Sequence, residues 1–376
     1  MQPLSKEELQ RYTRHFSVTD IGIKGQERLK TSRVLLIGAG GIGSPASLYL
    51  AAQGIGTLGI IDHDNVELSN LQRQILFTDQ DLGKSKALVA KQKLQAQNPH
   101  CNINAYDERL THQNAPPIFE HYDLIIDGSD NYPTRYLVAD VAWRLEKPMI
   151  SASIYQFSGQ LMLVDPKAGP CYRCLYPSAP PEGLIPNCAA AGVLGVIPGV
   201  LATLAVTEAI KHLLDIGKPL SGQLLQFDAK TMTMEQLPLH ARADCHICGQ
   251  AAISMTDILS SHQPQKSNAM KVNAIDVITL QKKLNTLKPP LLIDVREPWE
   301  RELCVINPSL HIPLSQLDTA DIPANKDDTI LIYCRSGGRS ALACQVLMQR
   351  GFHQATNVSG GTLAWASNID PTMIRY

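Results

Sequence analysis

Gly38-x-Gly40-Gly41-x-Gly43 stands between an apolar run, Val34–Ile37, and a small-residue segment, Ser44–Gln53; a second apolar run, Leu58–Ile61, ends at Asp62. The order is strand, glycine turn, helix, strand, acid, which is the first half of a nucleotide-binding βαβ unit. The glycines let the backbone approach a phosphate closely. The helix start at Gly43 offers free N–H groups and a positive dipole end to an anion. Asp62 falls about where a ribose hydroxyl needs a carboxylate. Taken alone, the motif favours a dinucleotide site in an NAD-dependent oxidoreductase, and it does not specify which nucleotide binds.

The residues that follow have no task in a dehydrogenase. Asp64 leads into Glu67-Leu68-Ser69-Asn70-Leu71-Gln72-Arg73-Gln74. One helical turn separates Asn70 from Arg73, so both could face one ligand. A guanidinium at Arg73 can grip phosphate oxygens bidentately. Lys86, at the start of the next expected helix, would add a second positive charge. Asp130 sits just past a strand end, where open α/β sheets place their ligand chemistry, and a carboxylate there can hold Mg²⁺ against phosphates. The plainer alternatives are a solvated surface charge for Arg73 or Lys86 and a helix N-cap for Asp130.

Two further groups are built on cysteine. Cys171-x-x-Cys174 and Cys245-x-x-Cys248 supply four thiolates in two short pairs, the ligand set of a tetrahedral Zn²⁺ site. With all four positions filled by protein, such a site is structural. Separately, the apolar strand Thr329–Tyr333 delivers Cys334-Arg335-Ser336-Gly337-Gly338-Arg339 to the start of a helix over Ser340–Arg350. Backbone N–H groups, a helix dipole and two arginines all stabilise an anion on that sulfur. A phosphatase cradle and a sulfur carrier are both consistent with this loop.

These residues need a frame. The 376-residue chain is long enough for two or three domains. Strands expected over Val34–Ile37, Leu58–Ile61, Tyr122–Asp127 and Met149–Ala152 alternate with helices over Leu82–Asn98 and Tyr132–Glu146. That alternation predicts an α/β fold with a doubly wound parallel sheet. Ser5–Phe16 reads as a helix, with Ser5 and Glu8 as a capping box. β-rich segments at Gly159–Asp165 and Gly222–Asp228 flank a helix over Val200–Leu214. The predicted organisation is a nucleotide-binding domain over 1–249, a linker over 250–271 and a second, small α/β domain over 272–376. In that last domain, helices are expected over Ala274–Leu287 and Ser340–Arg350, with strands at Leu291–Val295 and Thr329–Cys334.

Composition narrows the classes. Hydrophobic residues make up 44% and charged residues 18%, and the formal net charge is −1. No global field draws the chain to nucleic acid or membrane. The polar start is unlike a signal peptide, and the most apolar stretch, Val193–Val206, is interrupted and reads as too short to span a bilayer. Nine cysteines without an export signal point to a reducing, cytoplasmic setting.

Together, the motifs over about residues 5–249 resemble the adenylyltransferases that activate ubiquitin-like sulfur carriers. Bacterial members serve the molybdopterin and thiamine pathways, and the eukaryotic ubiquitin-activating enzymes are more distant. The resemblance implies that the nucleotide is ATP, used with Mg²⁺. It implies that Gly41, Asp62, Ser69, Asn70, Leu71, Gln72, Arg73, Lys86, Asp130 and Asn131 line the ATP site, with Asp130 as the essential acid. Arg14 matches an arginine that reaches the partner's triphosphate in a homodimer. Cys188 matches a loop cysteine that in some relatives forms a covalent link to the carrier. The implied partner is a small carrier protein ending in Gly-Gly. Residues 272–376 resemble the rhodanese family through Ile293-Asp294-Val295-Arg296-Glu297, the six-residue loop from Cys334 to Arg339, Val358-Ser359-Gly360-Gly361 and Trp365. That resemblance implies a persulfide on Cys334, loaded from a cysteine desulfurase or thiosulfate. Cys304–Pro313 departs from the family by lacking a glycine-rich approach to Ile312-Pro313-Leu314. Two other functions fit parts of the chain: an NAD-dependent oxidoreductase, and an inactive partner-binding scaffold.

Overall fold

The structure is a computed structural model that describes residues 3–179, 192–250, 252–263 and 272–376. The chain divides into two compact units, Met1–Pro264 and Gln265–Tyr376.

The first unit is built on β1 (Arg33–Ile37), β2 (Thr57–Ile61), β3 (Asn102–Tyr106), β4 (Leu124–Asp127), β5 (Met149–Tyr155), β6 (Ser158–Val164), β7 (Gln223–Asp228) and β8 (Thr233–Pro238). They form one sheet in the order β3-β2-β1-β4-β5-β6-β7-β8. From β3 to β5 the pairing is parallel; from β5 to β8 it is antiparallel. The central strands β1 and β4 are apolar runs because both their faces are covered, and Val34, Leu35 and Leu36 have no exposed surface. The strand order reverses between β1 and β4, which is where an open sheet leaves a crevice. Register places Ile37 level with Ile61 on one side and Asp127 on the other. The glycine turn, Asp62 and the loop to Asp130 therefore leave the sheet at one edge.

Helix Gly43–Gln53 follows the glycine turn. A Cβ at Gly43 would lie 1.8 Å from the Gly38 carbonyl oxygen, so only glycine allows the helix this close to β1. The Ser5–Glu8 capping box forms as expected, although the helix is interrupted at Tyr12 into Lys6–Arg11 and Thr13–Phe16. The helix expected from Leu82 begins at Lys86, because Gly83 takes a positive φ and Ser85 caps through the Leu88 N–H. The apolar helix after the glycine-rich stretch spans Val196–Leu214, 19 residues, longer than expected and long and apolar enough to cross a membrane. It packs against β5, β6 and helix Gly43–Gln53, and half of its most apolar window is buried, as in a core helix.

The stretch expected as an unstructured linker is corrected in part. Met255–Ser261 is a helix with a Ser254–Asp257 capping box. It is tied to the first unit. Arg144 donates to the Ile253 carbonyl, His262 Nε2 lies 2.8 Å from Asp140 Oδ2, and Ile258 is fully buried beside Cys171 and Cys245.

The second unit carries β9 (Asn273–Ile275), β10 (Leu291–Asp294), β11 (Leu310–His311), β12 (Ile330–Tyr333) and β13 (Ala355–Val358), all parallel, in the order β11-β10-β12-β13-β9. Apolar clusters cover both faces of this sheet. The helix expected over Ala274–Leu287 is shorter, Val277–Leu284, because Asp276 caps it through the Thr279 N–H and leaves Asn273–Ile275 to the sheet edge.

Candidate active sites

The crevice at the ends of β1, β2 and β4 is a partly open pocket at the point where the strand order reverses, the place where open α/β sheets bind their ligands. Its lining includes Gly38, Gly40, Gly41, Asp62, Asp64, Arg73, Lys86, Asp130 and Asn131. Residues spread over more than ninety positions of sequence thus face one cleft.

Each is held by a local cause. Asp62 at the end of β2 accepts the Ala39 N–H at 2.7 Å and the Asp64 N–H at 2.8 Å. Burial pushes its carboxyl above the usual range, against the pull of Lys86 and those two N–H groups. Lys86 is buried, and its Nζ lies 3.0 Å from Asp64 Oδ2. Arg73 is steered by a bond of 2.9 Å from Nη1 to the Ser69 carbonyl, and its Cδ approaches Gly41. Asn131, not Asp130, caps the helix Tyr132–Arg144, with its Oδ1 accepting the Thr134 N–H at 2.9 Å. Asp130 is left exposed on the cleft wall.

Not every expected residue faces the cleft. Among the described residues, Ser69, Asn70, Leu71 and Gln72 are not in its lining. Asn70 is buried beneath a short 3₁₀ turn, Leu68–Asn70, and its Oδ1 accepts the Glu67 N–H at 3.3 Å. The expectation that Asn70 and Arg73 share a face assumed an α-helix, and the tighter turn ends before Arg73. Gly43 acts in packing. Arg14 is exposed on the helix Thr13–Phe16, away from the cleft lining. Cys188 lies outside the described residues. Sequence reasoning missed Arg109, Gln74 and Arg135 on the cleft wall. Arg135 stands one turn past the Asn131 cap, donates to the Ser129 carbonyl at 2.6 Å and lies 3.7 Å from the fully buried Asp127. A helix beginning at Asn131 could have signalled it.

The four paired cysteines come together. Cys171 Sγ lies 3.8 Å from Cys174 and 3.4 Å from Cys245, and Cys174 Sγ lies 3.3 Å from Cys248. All four sulfurs are within 4.8 Å of one another. Zinc–sulfur bonds of about 2.3 Å in a tetrahedron require sulfur separations of roughly 3.8 Å, so the set fits zinc. As a thiol, Cys171 is pushed up by burial and by its neighbouring sulfurs, and a divalent cation relieves that crowding of donors by taking thiolates. Purified protein should therefore contain about one zinc per chain, the stoichiometry of a four-ligand site. Elemental analysis of a folded first unit without metal would contradict the assignment.

In the second unit, Cys334 directly follows β12 and is buried. Its Sγ accepts the Gly337 N–H at 3.1 Å and lies 3.4 Å from Ser340 Oγ. Gly337 has φ +101°, which turns its N–H onto the sulfur; a Cβ there would lie 3.0 Å from the Gly360 nitrogen. Arg339 does not stand free: it makes two bonds of 2.6 Å to the Glu300 carboxylate. Arg335 donates to the Tyr376 carbonyl. Asp294, the last residue of β10, and Arg296 just after it form a fully buried pair at 2.6 Å. The loop before Ile312, which lacks the family's glycine-rich approach, includes a cis Asn307–Pro308 bond and returns through β11 to pair with β10.

Comparison with known proteins agrees with both units. Residues 12–247 match the ThiF family model and residues 276–368 match the rhodanese-like domain. The probable adenylyltransferase/sulfurtransferase MoeZ of Mycobacterium tuberculosis is 40% identical over 385 residues, 99% of this chain and 96% of that protein. The sulfur carrier protein adenylyltransferase of Thermus thermophilus is 49% identical over 250 residues, 65% of this chain and 92% of that one. The crystal structure of E. coli MccB shares the fold, with a TM-score of 0.58 at 23% identity, over 67% of this chain and 75% of that chain. The glycine turn thus sits in a protein that is no dehydrogenase: the chain belongs to the ThiF family and carries a rhodanese-like domain after it.

Proposed function

We propose that this enzyme adenylylates the C-terminal glycine of a ubiquitin-like sulfur carrier and then converts the acyl-adenylate to a thiocarboxylate with sulfur from Cys334. The observation that carries the reading is a single cleft lined by a glycine turn, Arg73, Lys86 and Asp130, in a chain that also presents Cys334 in an anion-stabilising loop.

In the first step, a carboxylate oxygen of the carrier attacks the α-phosphorus of ATP. The bond to the β-phosphate oxygen breaks and pyrophosphate leaves. Arg73 and Lys86 stabilise charge developing on the phosphates, and the N–H groups of the glycine turn hold them from below. Asp130, exposed in the cleft, is the residue that would hold Mg²⁺, which neutralises phosphate charge when bound. In the second step, the terminal sulfur of a Cys334 persulfide attacks the acyl carbon, and AMP leaves with the bonding electron pair. Two equivalents of an external thiol then reduce the acyl disulfide: the first releases the thiocarboxylate and leaves a mixed disulfide on Cys334, and the second frees the Cys334 thiol as the external disulfide departs. The persulfide sulfur comes from thiosulfate or a cysteine desulfurase. Zinc at the four cysteines is structural.

The reading extends to a homodimer with composite ATP sites. Arg14 is exposed and outside the cleft of its own chain, which suits a cation that works on a partner's triphosphate. Mixing Arg14→Ala subunits with Asp130→Asn subunits should restore part of the ATP–pyrophosphate exchange, since a mixed dimer can assemble one intact site. No recovery despite subunit exchange, followed by native mass spectrometry, would show that each site is built from one chain.

A further inference from the structure

Both arginines of the Cys334 loop are held by groups outside the loop, and Tyr376 connects them. Its hydroxyl accepts a bond of 2.7 Å from Arg296 Nη1 and donates to Glu300 Oε1 at 3.0 Å. The same Glu300 carboxylate takes both Arg339 bonds and the Glu297 N–H at 2.9 Å. Its four donors come from three other residues, and Tyr376 supplies one. The Tyr376 carbonyl accepts from Arg335 Nε, and the Arg335 guanidinium lies 5.6 Å from the Tyr376 ring. Trp299 meets that ring edge-on at 5.7 Å. Arg335 and Arg339 are therefore both tied to Tyr376, Arg335 through its carbonyl and ring and Arg339 through Glu300.

We propose that Tyr376 is a positioning residue for sulfur transfer, fixing Arg335 directly and Arg339 through Glu300 around the Cys334 sulfur. This inference rests on the function proposed above. The physical basis is charge sharing. Against burial, the Arg339 guanidinium is held protonated first by Glu300 and, to a smaller extent, by negative charge on Cys334. How much positive field reaches the sulfur depends on how strongly Glu300 neutralises Arg339. A hydroxyl donating to Glu300 takes part of that carboxylate's charge and leaves more of the Arg339 field for the sulfur. Burial pushes the Tyr376 phenol upward, so it remains a donor through the working pH range.

The experiment uses the full chain and two variants, Tyr376→Phe and Tyr376→Ala. Iodoacetamide labelling of Cys334, followed on its peptide by mass spectrometry across pH 5–10, reads the thiolate. Persulfide formation from thiosulfate reads sulfur loading, in which the Cys334 thiolate takes the outer sulfur and sulfite leaves. Tyr376→Phe keeps the ring and the carbonyl but loses the hydroxyl. Its labelling midpoint should move to higher pH, and loading at pH 7 should fall by about threefold, a shift of roughly half a pH unit. Tyr376→Ala also removes the ring beside the Arg335 guanidinium and should lose about tenfold, a further loss of roughly one cation–π contact's worth. Both variants should keep wild-type ATP–pyrophosphate exchange. Wild-type midpoints and loading in both variants would overturn the proposal. So would a rate loss at an unchanged midpoint, which marks a merely structural role. If the wild type labels normally but loads no sulfur, the proposed function fails, while the labelling midpoints still decide the role of Tyr376.

Discussion

Asp130→Asn should abolish ATP–pyrophosphate exchange while the first unit stays folded. The substitution keeps size and hydrogen-bonding capacity and removes the charge. Asp130 caps no helix, since Asn131 does that work, and it is exposed, so its loss leaves no buried partner unsatisfied. Its only evident task is electrostatic, in a cleft where Arg73 and Lys86 already bring positive charge to the phosphates. Removing one such contribution typically costs about 10²–10³ in rate, and loss of the cation's ligand should cost more than that. Lys86→Ala should fall at the level of a single contact. Thermal denaturation beside the exchange assay separates the two effects. Near-normal exchange by folded Asp130→Asn protein would assign the acid's role elsewhere in the cleft, with Asp62 the first alternative.

The second large effect belongs to Cys334. Cys334→Ala should retain pyrophosphate exchange and lose thiocarboxylate formation entirely. The residue sits in a separate compact unit from the cleft, so the ATP site has no reason to respond. Within its own unit the sulfur is the centre of the loop: Gly337 and Ser340 both point hydrogens at it. An alanine there removes the only atom able to carry a persulfide at that position. After incubation with thiosulfate, mass spectrometry should find one added sulfur on the Cys334 peptide and none in the variant. Sulfur on Cys188 instead, or thiocarboxylate made by Cys334→Ala at the normal rate, would overturn the assignment. Cys188, set between Asn187 and Ala189, has no neighbouring cation in sequence to activate it.

Much of this was legible before the fold was known, for physical reasons that can be named. The glycine turn is readable because close approach of backbone to backbone admits no other residue, as at Gly43. The paired cysteines are readable because two short pairs of thiolates have few other uses in a chain whose described cysteines are all free. Short capping signals were also reliable where they were used: Ser5 with Glu8 formed as expected. The same signal at Ser254 and Asp257 went unused, and with it the helix Met255–Ser261 inside the expected linker.

What sequence could not supply was direction and long-range pairing. Asn70 and Arg73 are three residues apart, but a 3₁₀ turn sends one side chain inward and leaves the other to the cleft. Arg339 looked like a free cation beside Cys334. It is matched by Glu300, 39 residues away in sequence on helix Pro298–Leu303. The Tyr376 anchor joins positions 41 residues apart and has no local signature at all.

The most direct test of the central claim is product analysis of a carrier protein ending in Gly-Gly. The carrier is incubated with this chain, ATP, Mg²⁺, thiosulfate and a thiol reductant, and its intact mass is measured. Replacement of one C-terminal carboxylate oxygen by sulfur, dependent on ATP and absent with Asp130→Asn or Cys334→Ala, is the predicted result. A carrier that is adenylylated by the wild-type chain but never gains sulfur, under conditions where Cys334 is persulfidated, would contradict the coupling of the two sites.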